Sequence, residues 1–232
     1  MSKLHSMLLV MLLFCCSAAW AQPRFQIAVD FATGFPQGEF SDNVQSTGFG
    51  VSTEFYYRIQ RSFLIGGTLG FLTLGNESRD VPFSSTIPDV LVRVDTSNNI
   101  LLSHFVVRYQ PGAYNRAFRP YVEGLIGLQY LWTQTSVNGN GSDQFTSTNY
   151  SDSAFSPGLG GGADVRLFRG GWNGSSPAFG MDLNLGVRYL FGGNASYLTE
   201  GSILRHDDTV TYFVSSSPTH LLTLGAGIVF SF

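Results

Sequence analysis

From Thr219 to the end of the chain, apolar and polar or small residues alternate: Leu222, Leu224, Ala226, Ile228, Phe230 and Phe232 fall on one face, with Thr223, Gly225, Gly227 and Ser231 on the other. Side chains alternate sides along an extended strand, so this period of two predicts a strand with one wholly apolar face. The same pattern recurs at Phe25–Phe31, Phe49–Arg58, Phe63–Phe71, Leu101–Tyr109, Val122–Trp132, Leu159–Leu167 and Phe179–Tyr189. Eight strands of about ten residues result, the length that crosses a bilayer when tilted.

Connections alternate between long and short. The long ones run from Gly34 to Thr47, Leu74 to Asn98, Thr133 to Ser156 and Gly192 to Pro218; the short ones lie near Gln60, at Pro111–Arg116 and at Arg169–Pro177. An antiparallel transmembrane barrel has this arrangement, with short periplasmic turns, long extracellular loops and both termini on the periplasmic side. Two further alternating segments, Val90–Val94 and Thr209–Val214, would raise the count to ten. Ten strands would put the long Thr133–Ser156 link on the periplasmic side, so both segments are read as hairpin extensions above an eight-stranded barrel.

A soluble β-sandwich also alternates. Here charged residues are only 12% of the 232, the aromatic share is 14%, and the polar face carries ionisable groups on strand after strand. That face holds Asp30, Glu54, Arg58, His104, Arg108, Glu123, Asp164, Arg166, Asp182 and Arg188. An eight-stranded barrel is just wide enough inside for side chains to fill it, so these groups are expected to form a lumen charge network and plug the bore. Aromatic residues are expected to form two girdles, with Tyr57, Tyr109, Phe179 and Phe232 at the periplasmic ends and Phe31, Phe49, Phe71, Tyr130, Trp132, Tyr189 and Phe191 at the outer ends.

Residues 1–21 read as a signal peptide, with Lys3 and His5 before the apolar run Met7–Phe14 and cleavage after Ala19-Trp20-Ala21; residues 22–232 form the barrel domain. Both cysteines, Cys15 and Cys16, fall inside the leader, so the exported chain has no disulfide. A lipoprotein anchor would want small residues before its cysteine, whereas Phe14 precedes Cys15. Lys3 is the one lysine, so after export twelve arginines face sixteen carboxylates, which speaks against nucleic acid as a partner.

The terminal Gly227-Ile228-Val229-Phe230-Ser231-Phe232, with the leader and the eight alternating strands, resembles the small outer-membrane β-barrel superfamily that includes the OmpA-like and OmpX-like barrels. Phe35-Pro36-Gln37-Gly38-Glu39-Phe40 and Arg119-Pro120-Tyr121-Val122 resemble outer-membrane β-barrel domain proteins common in the Bacteroidetes. The resemblance implies a protein of the cell outer membrane in contact with its lipids and lipopolysaccharide. It also implies delivery by periplasmic chaperones to the barrel assembly machinery, which reads Gly227, Phe230 and Phe232. No peptidoglycan-binding domain is expected after Phe232.

The expected function is structural or surface interaction, with a small channel or transporter for small or hydrophobic solutes as the alternative. Catalysis, a metal and a cofactor are not expected. Ser103 and His104 point to opposite faces, unlike the pair of a lipid A deacylase, and His206-Asp207-Asp208 reads as a solvated acidic loop rather than an omptin-like hydrolase site. The triplets beginning at Asn76, Asn149, Asn173 and Asn194 are chance products of Ser- and Asn-rich loops, and the O-glycosylation-like Asp152-Ser153-Ala154 and Asp208-Thr209-Val210 are weak signals.

Overall fold

The computed structural model describes residues 23–84, 87–112, 116–138, 144–170, 179–206 and 209–232. The leader read at 1–21, with Cys15 and Cys16, lies outside the described residues, as do Asn173, Asp207 and Asp208. The described residues form eleven strands and one short helix: β1 (Phe25–Pro36), α1 (Glu39–Val44), β2 (Gly48–Gln60), β3 (Phe63–Ser84), β4 (Ile87–Tyr109), β5 (Phe118–Asn138), β6 (Gln144–Phe155), β7 (Gly158–Gly170), β8 (Phe179–Leu190), β9 (Asn194–His206), β10 (Thr209–Pro218) and β11 (Leu221–Ser231).

Pairing runs β4-β3-β2-β1-β11-β8-β7-β5, and β5 returns to β4, which closes an antiparallel ring of eight strands. The seam between first and last strands is fully laddered, from Gln26 opposite Ser231 to Pro36 opposite Leu221. Phe25 and Phe232 exchange backbone hydrogen bonds of 3.2 and 2.9 Å at its end. Closure leaves no unpaired edge in the ring, the condition a sheet must meet in lipid.

The long connections are mostly strand. β3 and β4 continue past Leu74 and Asn98 as a hairpin, β6 pairs with the upper half of β5, and β9 pairs with β10. β6, β9 and β10 prolong β7, β8 and β11 across breaks at Ser156-Pro157, Phe191–Gly193 and Thr219-His220. Those breaks are tied to one another, since Phe191 N donates to Pro157 O, Gly193 N to Phe155 O and Thr219 N to Gly193 O (2.8, 2.8 and 3.1 Å). Val90–Val94 and Thr209–Val214 thus belong to extensions above the ring, and the barrel has eight strands rather than ten.

The outward face is apolar and accessible, reaching 64% exposure at Leu159 and 59% at Val122, while Ala28, Glu54 and Arg108 on the inward face are closed to solvent. Aromatic contacts gather at two levels. Phe25 meets Phe55 and Tyr57, Phe63 meets Tyr109, and Phe179 meets Phe230 and Phe232 near the termini; Phe31 meets Phe49, Phe71 meets Trp132, and Tyr189 meets Phe191 near the far end. An apolar band between aromatic belts matches a bilayer's thickness and its polar interfaces. Among the described residues no helix is long and apolar enough to cross a membrane, which leaves the strands to do it.

Candidate functional site

Alternation delivers one inward side chain per strand at each level, and the levels differ in chemistry. Midway along the bore, Glu54 from β2, Arg108 from β4, Glu123 from β5 and Arg188 from β8 form a closed square. Arg108 Nη2 donates to Glu54 (3.0 Å) and its Nε to Glu123 (2.8 Å); Arg188 Nε donates to Glu123 (2.6 Å) and its Nη2 to Glu54. Arg108 and Glu123 face each other across one strand pair, but Glu54 and Arg188 meet only across the lumen.

The Arg108 guanidinium is fully buried between the rings of Tyr56 and Tyr121, 4.1 and 3.8 Å from their centroids, and also donates to the Tyr56 hydroxyl (2.7 Å). Both ring faces present negative charge to a cation that has left water. Tyr121 reaches across toward β8, where its hydroxyl stands 2.7 Å from the place a Cβ on Gly186 would occupy, so any side chain there would displace it. That hydroxyl donates to Asn184 Oδ1, and Asn184 Nδ2 donates to Asp30 Oδ1 (both 2.8 Å).

Nearer the termini, Arg119 bridges Asp164 (3.3 Å) and Asp182 (2.5 Å), Arg169 pairs with Asp182 (2.6 Å), and Gln110 Nε2 donates to Asp164 (2.7 Å). Arg58 is buried there and donates to Gln110 Oε1 (3.3 Å) and to the Arg61 carbonyl (3.0 Å). Within the described lumen five carboxylates (Asp30, Glu54, Glu123, Asp164, Asp182) stand among five arginines (Arg58, Arg108, Arg119, Arg169, Arg188). A buried ion pair recovers its desolvation cost only through such reciprocal hydrogen bonding.

Two of the ten residues assigned to this network from sequence sit differently. Arg166 stands directly across the β7–β8 ladder from Asp182 but is exposed, and beyond it a β-bulge between Arg166 and Phe168 shifts the register and brings Arg169 to Asp182. His104 is buried in the lumen but bonds to Ser156 Oγ (3.1 Å), apart from the ion pairs. Arg119, Arg169 and the tyrosines escaped notice. Arg119 opens β5 on the same face as Glu123, four residues away, and extending that period of two backward would have found it; the bulge that recruits Arg169 leaves no sequence signature.

Above the square lies a cavity of about 40 Å³, lined by Asp30, Ser52, Glu54, Thr68, His104 and Arg188 among others. Toward the outer end of the cavity the chemistry turns apolar, and Leu72, Leu102, Leu125 and Leu190 line it too. Leu72, Leu74, Ile100, Leu131, Leu190 and Leu221 point inward from the strand tops, and α1 drops Phe40 among them, 1% exposed. Phe40 stacks edge-on against Tyr197 (5.1 Å), whose hydroxyl accepts from Asn43 (2.9 Å) and bonds to Ser217 (2.6 Å). The backbone takes a positive φ on both sides of α1, at Gly38 (φ 60°) and at Gln45 (φ 48°), and Gln45 is in the left-handed helical region.

Ser103 faces outward and His104 inward, so the two do not meet in a site. Among the described residues no three His, Cys, Asp or Glu side chains gather as a metal site would require. His206 ends β9, but its acidic neighbours are outside the described residues.

A closed eight-stranded ring with an apolar exterior, two aromatic belts and buried ion pairs in its lumen defines an integral membrane β-barrel. The chain belongs to the outer membrane protein beta-barrel domain family, whose profile matches residues 6–230, and it is a protein of the cell outer membrane. Among solved structures it is similar to neisserial surface protein A, NspA (14% identity, 90% of this chain and 97% of that one, TM-score 0.47). It is similar also to OprG from Pseudomonas aeruginosa (16%, 91% and 96%, 0.46) and to Ail, the attachment invasion locus protein of Yersinia pestis, solved with the heparin analogue sucrose octasulfate (14%, 91% and 99%, 0.43). No curated protein sequence matches the chain.

Proposed function

We propose that this protein is a sealed, non-enzymatic barrel that works through the surface it displays outside the cell. The observation that carries the reading is the double closure of the bore, by the arginine–glutamate square in the middle and by the Phe40 cluster at the outer mouth. Three hairpins rise beyond that mouth and offer the area for adhesion, lipid, lipopolysaccharide or partner contacts. In planar bilayers the purified barrel is expected to give no conductance above the bare membrane. Discrete current steps from the wild type would sink the sealed reading, and unchanged surface phenotypes after removal of all four loop tips would sink the display role.

The channel reading has one observation in its favour. α1 is held between two residues of positive φ over the cavity, so a swing of this short segment would remove Phe40 from the mouth. The square below would still block the bore, which is why the sealed reading is preferred.

The assembly machinery is proposed to read Gly227, Phe230 and Phe232 on the last strand. Deleting Phe232 removes two backbone hydrogen bonds of the seam and a ring contact with Phe179 (5.6 Å). The variant is expected to lose most of its heat-modifiable band in outer-membrane fractions, with Phe232→Tyr retaining it. Wild-type insertion after the deletion would discard the assignment.

A further inference from the structure

Asp30 is the one lumen carboxylate without an ion pair among the described residues. It is 2% exposed; Oδ1 is taken by Asn184, and Oδ2 has no hydrogen-bond partner. Its neighbours cannot neutralise it, because Arg108 and Arg188 are already divided between Glu54 and Glu123 in a square with no net charge. The ionised groups lining the cavity, Asp30, Glu54 and Arg188, therefore sum to one negative charge, the balancing arginine of the lumen standing nearer the termini with Asp164 and Asp182, and buried charges are retained when they are paired.

The cavity that Asp30 lines has the size and the donors to supply that partner. About 40 Å³ holds roughly three water-sized bodies. Hydroxyl-bearing Ser52, Thr68 and Thr223 line it along with Asp30, and Ser52 stands directly across the β1–β2 ladder from Asp30. Hydroxyl and carboxylate oxygens suit a hard cation. The space excludes anything larger than a small ion with a little water, and the single excess charge calls for a monovalent one. The other ionisable groups facing the space are Glu54, His104, Tyr121 and Arg188. Arg188 is committed to its two glutamates, and His104 to Ser156.

We infer that the cavity between the charged square and the Phe40 cluster is a binding site for a small monovalent cation of sodium or ammonium size, held by the Asp30 carboxylate. The site goes beyond the sealed-barrel reading and does not depend on it, since a cation enclosed during folding and one admitted past Phe40 bind alike.

The test compares the temperature at which the folded, fast-migrating form is lost, for the whole barrel in sodium, ammonium or choline chloride at equal ionic strength. Choline is too bulky for the cavity. The wild type is expected to melt about 2–4 °C higher in sodium or ammonium than in choline. Asp30→Asn, which keeps the bond from Asn184, is expected to melt at one temperature in all three salts, close to the wild type in sodium. Ser52→Ala, which leaves the carboxylate in place, is expected to retain a smaller difference. A wild type indifferent to the cation, the result a proton on Asp30 would give, overturns the site. An Asp30→Asn protein that keeps the full difference also overturns it.

Discussion

Replacing Arg108 with methionine is expected to cost the folded barrel about 3–5 kcal/mol, the range found when one member of a buried ion pair is removed. The side chain is wholly buried, so water cannot screen the loss, and it serves Glu54, Glu123 and the Tyr56 hydroxyl at once. After substitution Arg188 alone must hold both glutamates, leaving one carboxylate charge uncompensated inside the bore, and the gap between the Tyr56 and Tyr121 rings is filled by a side chain with no charge to offer them. The check is the urea concentration at which the heat-modifiable form is half lost. Arg108→Met combined with Glu54→Gln should recover part of the loss, because Arg188 and Glu123 then balance each other within the square. A single variant as stable as wild type would show that the square contributes little to holding the ring.

Gly227→Val is expected to abolish the closed barrel more completely than any exterior change. Gly227 faces inward on β11 opposite Asp30, and a Cβ there would stand 2.1 Å from the carbonyl oxygen of Val29 and 2.5 Å from the Asp30 Cα. Both are backbone atoms of β1, so relief requires the first and last strands to separate where the ring closes. Overpacking inside a domain typically costs about 1–3 kcal/mol. At this seam the alternative to the clash is an open sheet with unpaired edges in lipid, which is worse. Gly124 supplies the control, since a Cβ there meets nothing within 4 Å. Gly124→Ala should migrate as wild type on unboiled gels while Gly227→Val runs only as the unfolded form. A normal folded band from Gly227→Val would refute the close approach.

How far the lumen could be read from sequence differs along its length. In the membrane band one face must meet lipid and the other must not, so alternation is strict and each inward residue can be named; Asp30, Glu54, Arg108, Glu123, Asp164, Asp182 and Arg188 are all found inside. Above the band both faces meet water. There Thr133–Asn138 and Gln144–Tyr150 are strand built largely from Thr, Ser, Gln and Asn, without the apolar rhythm that betrays a strand, and they read as loop. The Phe40 cluster was hidden for a different reason. Inward leucines at the strand tops, such as Leu72, Leu102 and Leu190, look like minor lapses in a polar face until closure brings them together around one phenylalanine from a loop.

Alternation alone establishes eight lipid-spanning strands and which side of each faces in, because a period of two against an apolar solvent fixes the side of every residue between bulges, while the strands run well past the segments that alternate. Tertiary structure decided which charges pair. Alternation assigns a side but neither a height in the bore nor a position around it, and those follow from the register with which the strands stagger as the ring closes. That register sets Arg188 against Glu54, 134 residues away, brings Arg169 to Asp182 past a single bulge, and leaves Asp30 without an arginine.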